Sequence, residues 1–148
     1  MAVRRVEPDE AAELMDAGWS YLDVRSVAEF SESHVPGAYN IPLLDFTPGV
    51  GLVPNTNFLV EVLDTFDIEK LLIVACKSGG RSARAAAILV ESGFANVVDM
   101  RGGFYGEVDN SGIVSCQGWS QRGLPAVSGD EPGRSHSDLR RLPTKQQE

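Results

Sequence analysis

Cys76 and the residues after it, Lys77-Ser78-Gly79-Gly80-Arg81-Ser82, hold the densest chemistry in the sequence. A cysteine is a nucleophile only as its thiolate, so the question is what would favour that form. The run before it, Leu71-Leu72-Ile73-Val74-Ala75, is apolar throughout and reads as a central parallel strand. Residues 81–91 after it read as a helix, with Gly93 ending it. Cys76 is therefore expected at the carboxyl end of a central strand, before a glycine turn and a helix N-terminus. Open α/β sheets place ligands just beyond the carboxyl ends of their strands. Helix N-termini offer unpaired N–H groups and the positive end of a dipole. Gly79 and Gly80 let successive N–H groups turn toward one centre, and Lys77 and Arg81 add positive charge. Each of these favours the thiolate, and an accessible thiolate is the nucleophile for covalent catalysis on sulfur or phosphorus. A cysteine serving only as a small core hydrophobe would need neither the glycines nor the cations. Lys77, Ser78, Gly79, Gly80, Arg81 and Ser82 are thus the expected substrate-binding residues around a catalytic Cys76. Lys77 and Ser78 also fit a solvated loop. Arg81 also fits an ion pair that braces the loop, and its two readings are compatible.

The elements that must position this loop are legible along the chain. Short apolar runs at residues 3–6, 21–24, 38–41, 71–75 and 96–100 read as strands. Residues 8–17, 57–66 and 81–91 read as helices, and Ser26 with Glu29 forms a capping-box pattern that starts another. Strands alternating with helices predict an α/β domain with a five-stranded, mostly parallel sheet and helices on both faces. Residues 45–55, with proline and glycine, read as a loop, and a short helix is expected near Trp119. Residues 1–127 are assigned to this domain. Residues 128–148, polar and balanced in charge, are expected to be a disordered tail, because they offer little apolar surface to offset ordering entropy.

Composition excludes several function classes. With 148 residues, 43% hydrophobic and 23% charged, the chain fits one ordinary globular domain. Thirteen Lys and Arg against 21 Asp and Glu give a net charge of −8, so no nucleic-acid partner is expected. No apolar run approaches a membrane span, so no membrane partner is expected either. Two cysteines cannot build a four-ligand zinc site alone, and no metal or cofactor is expected. The opening residues lack the apolar core of a signal peptide, which together with sparse cysteine suggests a cytoplasmic location.

Three blocks resemble the single-domain rhodanese family, the thiosulfate sulfurtransferases and their relatives. CKSGGRS resembles that family's Cys-x-x-Gly-x-Arg active-site loop. YLDVRSVAEFSESHVPGAYNIPL resembles its N-terminal signature. VVDMRGGF, with Trp119 and Gly123-Leu124-Pro125, resembles its C-terminal signature. The resemblance implies a rhodanese-like fold and a sulfurtransferase. Cys76 would take sulfane sulfur from a small sulfur-containing anion such as thiosulfate, carry it as a persulfide, and pass it to cyanide or to a small-molecule or protein thiol. It also implies that His34 serves a structural turn. Asp23 is expected to bond to the loop amides and Arg25 to pair with Glu29, both in supporting roles. Trp19 and Trp119 read as packing residues.

The sequence departs from the family in one place, where residues 104–118 separate Gly102-Gly103 from Trp119. This insertion reads as a loop with its own role and carries Cys116. Cys116 is expected to be inert, unless the insertion brings it to a persulfide on Cys76, where it would close a disulfide. Two other functions compete. A phosphatase or arsenate reductase also sets a thiolate in a loop ending in arginine, but with one residue more between the two. A persulfide carrier or redox-regulated binding module would show exposed apolar surface around the loop.

Overall fold

The computed structural model describes residues 3–140. In chain order the elements are β1 (Arg4–Val6), α1 (Pro8–Asp16), β2 (Ser20–Asp23), α2 (Val27–Glu32), β3 (Tyr39–Asn40), β4 (Leu44–Thr47), β5 (Gly51–Pro54), α3 (Phe58–Thr65), β6 (Leu72–Ala75), α4 (Gly80–Glu91), β7 (Val97–Met100), β8 (Glu107–Val108), β9 (Val114–Cys116), a 3-10 turn at Trp119–Gln121, and α5 (His136–Leu139).

The main sheet has five strands in the order β1-β7-β6-β2-β3, and every pairing is parallel. Parallel neighbours need crossovers, which place helices on both faces. Side-chain alternation divides the core accordingly. Leu22, Leu72 and Val74 meet α3 and α4 on one face, through Phe58, Val62 and Leu89. Tyr21, Ile73 and Met100 meet α1, α2 and Trp119 on the other. Leu72, Ile73 and Val74 are fully buried, each stabilising the fold by about 1.5–3 kcal/mol.

From β6 the chain moves on to β7, whereas from β2 it moves to β3 on the other side. The crevice beyond the carboxyl ends of β6 and β2 is therefore the switch point of the sheet, where α/β folds bind ligands.

Residues 45–55 are more ordered than the expected loop. Most of them form the antiparallel hairpin β4–β5, paired Leu44 to Pro54 through Thr47 to Gly51. The insertion is likewise a hairpin, β8–β9, with an irregular register. Residues 128–140 do not behave as the mobile tail that composition suggested. Glu131 accepts from the Gly37 N–H at 3.1 Å and meets His34 Nε2 at 2.9 Å. His136 Nε2 lies 3.0 Å from Glu61, and Leu139 joins the core at 5% exposure. A few specific contacts thus order a segment whose average composition gave no sign of it. Residues 141–148, the rest of that expected tail, lie outside the described residues. Among the described residues no helix is long and apolar enough to cross a membrane.

Candidate active site

Cys76 follows the last residue of β6, and its neighbours fold the chain back over it. The thiol is not accessible as the sequence suggested: Cys76 is 2% exposed, at the base of the loop. The Gly79 N–H donates to Cys76 Sγ at 3.1 Å. That contact needs Gly79 at φ +126°, a backbone state that side-chain-bearing residues rarely adopt. α4 starts at once, so its first N–H groups lack intrahelical acceptors and face the same crevice end of the sheet.

The segment after β7 holds the loop from behind. Phe104 N–H donates to the Cys76 carbonyl at 2.9 Å and Tyr105 N–H to the Lys77 carbonyl at 3.0 Å. Between them and β7, Gly103 sits at φ +60°, and a Cβ there would collide with the Lys77 carbonyl. The glycine pair of the sequence is thus a close-approach device, letting one backbone lie against another.

The other expected site residues divide by exposure. Lys77, Ser78 and Gly80 are exposed on the loop. Ser82 is fully buried, its Oγ 2.6 Å from Asp99 Oδ1 and 3.2 Å from the Gly79 carbonyl. Arg81 is clamped from the side: Nη1 and Nη2 donate to the two carboxylate oxygens of Glu29 at 2.7 and 3.0 Å. Burial alone would raise the Glu29 carboxyl, but hydrogen bonds from Arg81 and Ser26 hold it down at about 2. Those Glu29 hydrogen bonds outweigh burial at Arg81 too and raise it further, so the pair is ionised at any physiological pH.

Two supporting contacts differ from expectation. Arg25 pairs with Asp23, not Glu29, through Nε at 3.0 Å and Nη2 at 2.8 Å. Asp23 therefore serves Arg25 and not the loop amides. The buried Arg25 also donates to the Ser33 carbonyl at 2.8 Å and lies over the Phe104 ring, 4.6 Å from its centroid. A fully buried guanidinium needs a carboxylate beside it, and Asp23, two residues away on the same chain turn, is the nearer one. Glu29 is left free to take Arg81. Sequence reasoning also missed Asp99, a lone acid in an otherwise apolar strand, which is itself the signal that would have found it.

His34 is fully buried, stacked on Phe30 with centroids 3.8 Å apart, and its Nδ1 bonds the Phe30 carbonyl at 2.7 Å. The Trp119 indole donates to the Pro125 carbonyl at 2.7 Å and packs edge-on to Tyr21. Cys116 Sγ lies 3.5 Å from Arg122 Nη2, and both cysteines are free thiols. Among the described residues no group of three His, Cys, Asp or Glu side chains is placed to hold a metal. The arrangement offers a buried sulfur, an N–H aimed at it, and a helix N-terminus whose first turn carries a guanidinium fixed by Glu29. Such a site can hold a nucleophilic sulfur and an extra atom of negative charge bonded to it.

The rhodanese-like domain family matches residues 7–108. Thiosulfate sulfurtransferase 16, chloroplastic, of Arabidopsis thaliana is 37% identical over 115 residues, covering 78% of this chain and 85% of that protein. The protein HIGH ARSENIC CONTENT 1, mitochondrial, of the same plant is 40% identical over 107 residues. That match covers 72% of this chain but only 63% of the relative. Among solved structures, the crystal structure of Rv0390 from M. tuberculosis superposes with a TM-score of 0.71 at 28% identity, covering 87% of this chain and 100% of that one.

Proposed function

This chain belongs to the rhodanese-like domain family, and on that premise we propose that it is a sulfurtransferase working through a persulfide on Cys76. The observation that carries the reading is the Gly79 N–H held 3.1 Å from Cys76 Sγ at the switch point of the sheet. In the first half-reaction the Cys76 thiolate attacks the outer sulfur of thiosulfate or a similar donor. The new bond joins Sγ to that sulfur, and the donor S–S bond breaks with its electron pair leaving on sulfite. The charge of three is conserved, and no proton moves. In the second half-reaction cyanide or a thiolate attacks the outer sulfur of the persulfide, and the electron pair of the breaking S–S bond returns to Cys76. The nucleophile enters already ionised and sulfite leaves readily, so the chemistry asks for no general base. The Gly79 N–H and the N-terminus of α4 provide donors for the anionic sulfur that the transfer passes through. Relatives bearing the name thiosulfate sulfurtransferase support this reading.

A second reading, transfer to a protein thiol, is favoured by the surroundings of the loop. The β4–β5 hairpin joins α2 through Asp45, whose carboxylate accepts from Val27 N–H, and it exposes Phe46 and Val50 at 56% and 72%. The β8–β9 hairpin exposes Ile113 at 66%. Exposed apolar side chains on these two hairpins suit a macromolecular acceptor. The two free thiols accord with a reducing compartment such as the cytoplasm.

Thiocyanate production from thiosulfate and cyanide tests the enzyme reading. Wild type and Cys116→Ser are expected to turn over with ping-pong kinetics, and Cys76→Ser to lose about 10³-fold or more. A wild type without turnover whose Cys76 still accepts sulfur and passes it to a protein thiol would replace the enzyme with a carrier.

A further inference from the structure

We propose that Asp99 is a positioning residue for the chemistry of Cys76, acting through Ser82 on the Gly79 turn. The proposal rests on the sulfur-transfer reading for what it serves, but its structural content concerns the reactivity of the thiol itself. Asp99 is the one polar residue of β7, and it is 2% exposed. A carboxylate so buried persists only with good partners. It has two: Ser82 Oγ at 2.6 Å on Oδ1, and Arg5 Nε at 3.3 Å on Oδ2. Burial pushes the Asp99 carboxyl above its ordinary range, and these two partners pull it only partway back, so it stays raised.

The Ser82 hydroxyl has one proton and two acceptors within reach, Asp99 at 2.6 Å and the Gly79 carbonyl at 3.2 Å. The shorter, charge-assisted bond takes it. The Gly79 carbonyl is then left to the Ala83 N–H at 3.2 Å, as the first turn of α4 requires. Without Asp99 the hydroxyl proton passes to the Gly79 carbonyl. That pulls on the residue whose own N–H faces the sulfur, and the turn at φ +126° loses the partner that keeps the hydroxyl away from it.

Arg5 closes the arrangement. Its Nη2 lies 3.4 Å from where a Gly79 Cβ would stand and 3.8 Å from Glu107 Oε1 on the inserted hairpin. Asp99 thus also holds a guanidinium against the back of the Gly79 turn, with β8 on its far side. The strand β7, the edge strand β1 and the insertion converge behind one peptide of the active-site loop.

The test compares Asp99→Ala, Asp99→Asn and Ser82→Ala with wild type. Iodoacetamide modification of the Cys76 peptide is followed by mass spectrometry across pH, together with kcat and KM for thiosulfate. Asp99→Ala is expected to slow Cys76 modification about tenfold near neutral pH, the scale of one lost hydrogen bond to a charged group, whereas Ser82→Ala, with no hydroxyl to turn onto the Gly79 carbonyl, should stay near wild type. Turnover of Asp99→Ala should fall in kcat, with KM for thiosulfate little changed. Asp99→Asn keeps an oxygen for Ser82 and should recover most of the loss. A folded Asp99→Ala protein with the wild-type profile would overturn the proposal, as would an Asn variant no better than the Ala variant. If Asp99→Ala does not fold, a tenfold loss in Ser82→Ala, where no hydroxyl can reach the Gly79 carbonyl, overturns it instead. A wild type inactive with thiosulfate would remove the sulfur-transfer reading and leave the modification profile to decide this one.

Discussion

At the scale of single residues, the site is governed by which acid serves which base. Glu29 and Asp23 are both close enough in sequence to claim Arg25, and the sequence reading paired it with Glu29. The fold decides otherwise, because the guanidinium of Arg25 is fully buried and takes the carboxylate buried with it, while Glu29 turns toward Arg81. Cys76, its glycines and Arg81 were legible, since their residue types are rare in that combination. Their partners were not, because Glu29 and Asp99 reach the loop only once α2 and β7 are in place. The Glu29–Arg81 clamp has a pH signature. A carboxyl held at about 2 against an ordinary 4.5 contributes stability that is fully present above pH 4.5 and is lost as pH falls toward 2. Glu29→Gln should therefore lower the unfolding free energy at pH 6 by about 1 kcal/mol, a figure discounted for its partial exposure. Urea melts at stepped pH should show the gap between wild type and variant closing between pH 4.5 and 2. A gap that stays constant over that range would mean that ionisation of Glu29 contributes nothing.

At the scale of elements, the sheet was readable from sequence because its central strand is apolar throughout and its helices begin and end on recognisable residues. The two hairpins were not readable. Phe46, Val50 and Leu52 do not alternate toward a core, since the β4–β5 ribbon leaves them exposed, so the period-two signal that marks a half-buried strand is absent. β8 and β9 are two and three residues long with a shifted register, too short to leave any pattern. The joint between β7 and the active-site loop depends on Gly103. Gly103→Ala should leave the far-ultraviolet circular dichroism unchanged while pushing the Lys77 carbonyl away and cutting sulfur transfer at least about tenfold, because reacting groups misplaced by an ångström or so lose much of their rate. Full activity in that variant would show that the Gly103 approach does not set the loop.

At the scale of the whole molecule, residues 128–140 are part of the fold. Composition alone reads them as disordered because it counts apolar residues and ignores where each lands. Leu139 lands in the core, and Glu131 lands on the buried His34 and on Gly37 N–H. Leu139→Ala should then destabilise by about 2–3 kcal/mol, visible as a lower Tm in calorimetry. A segment without structure would make the same substitution silent. His34, in turn, is a structural joint between α2 and this segment, in keeping with the turn role that the family resemblance implied.

The most direct measurement is the intact mass of the protein after incubation with thiosulfate under non-reducing conditions. Sulfur transfer through Cys76 predicts the gain of one sulfur atom in wild type and in Cys116→Ser, no gain in Cys76→Ser, and loss of that atom as thiocyanate when cyanide is added. An added sulfur that persists in Cys76→Ser, or none in wild type, would contradict a persulfide on Cys76.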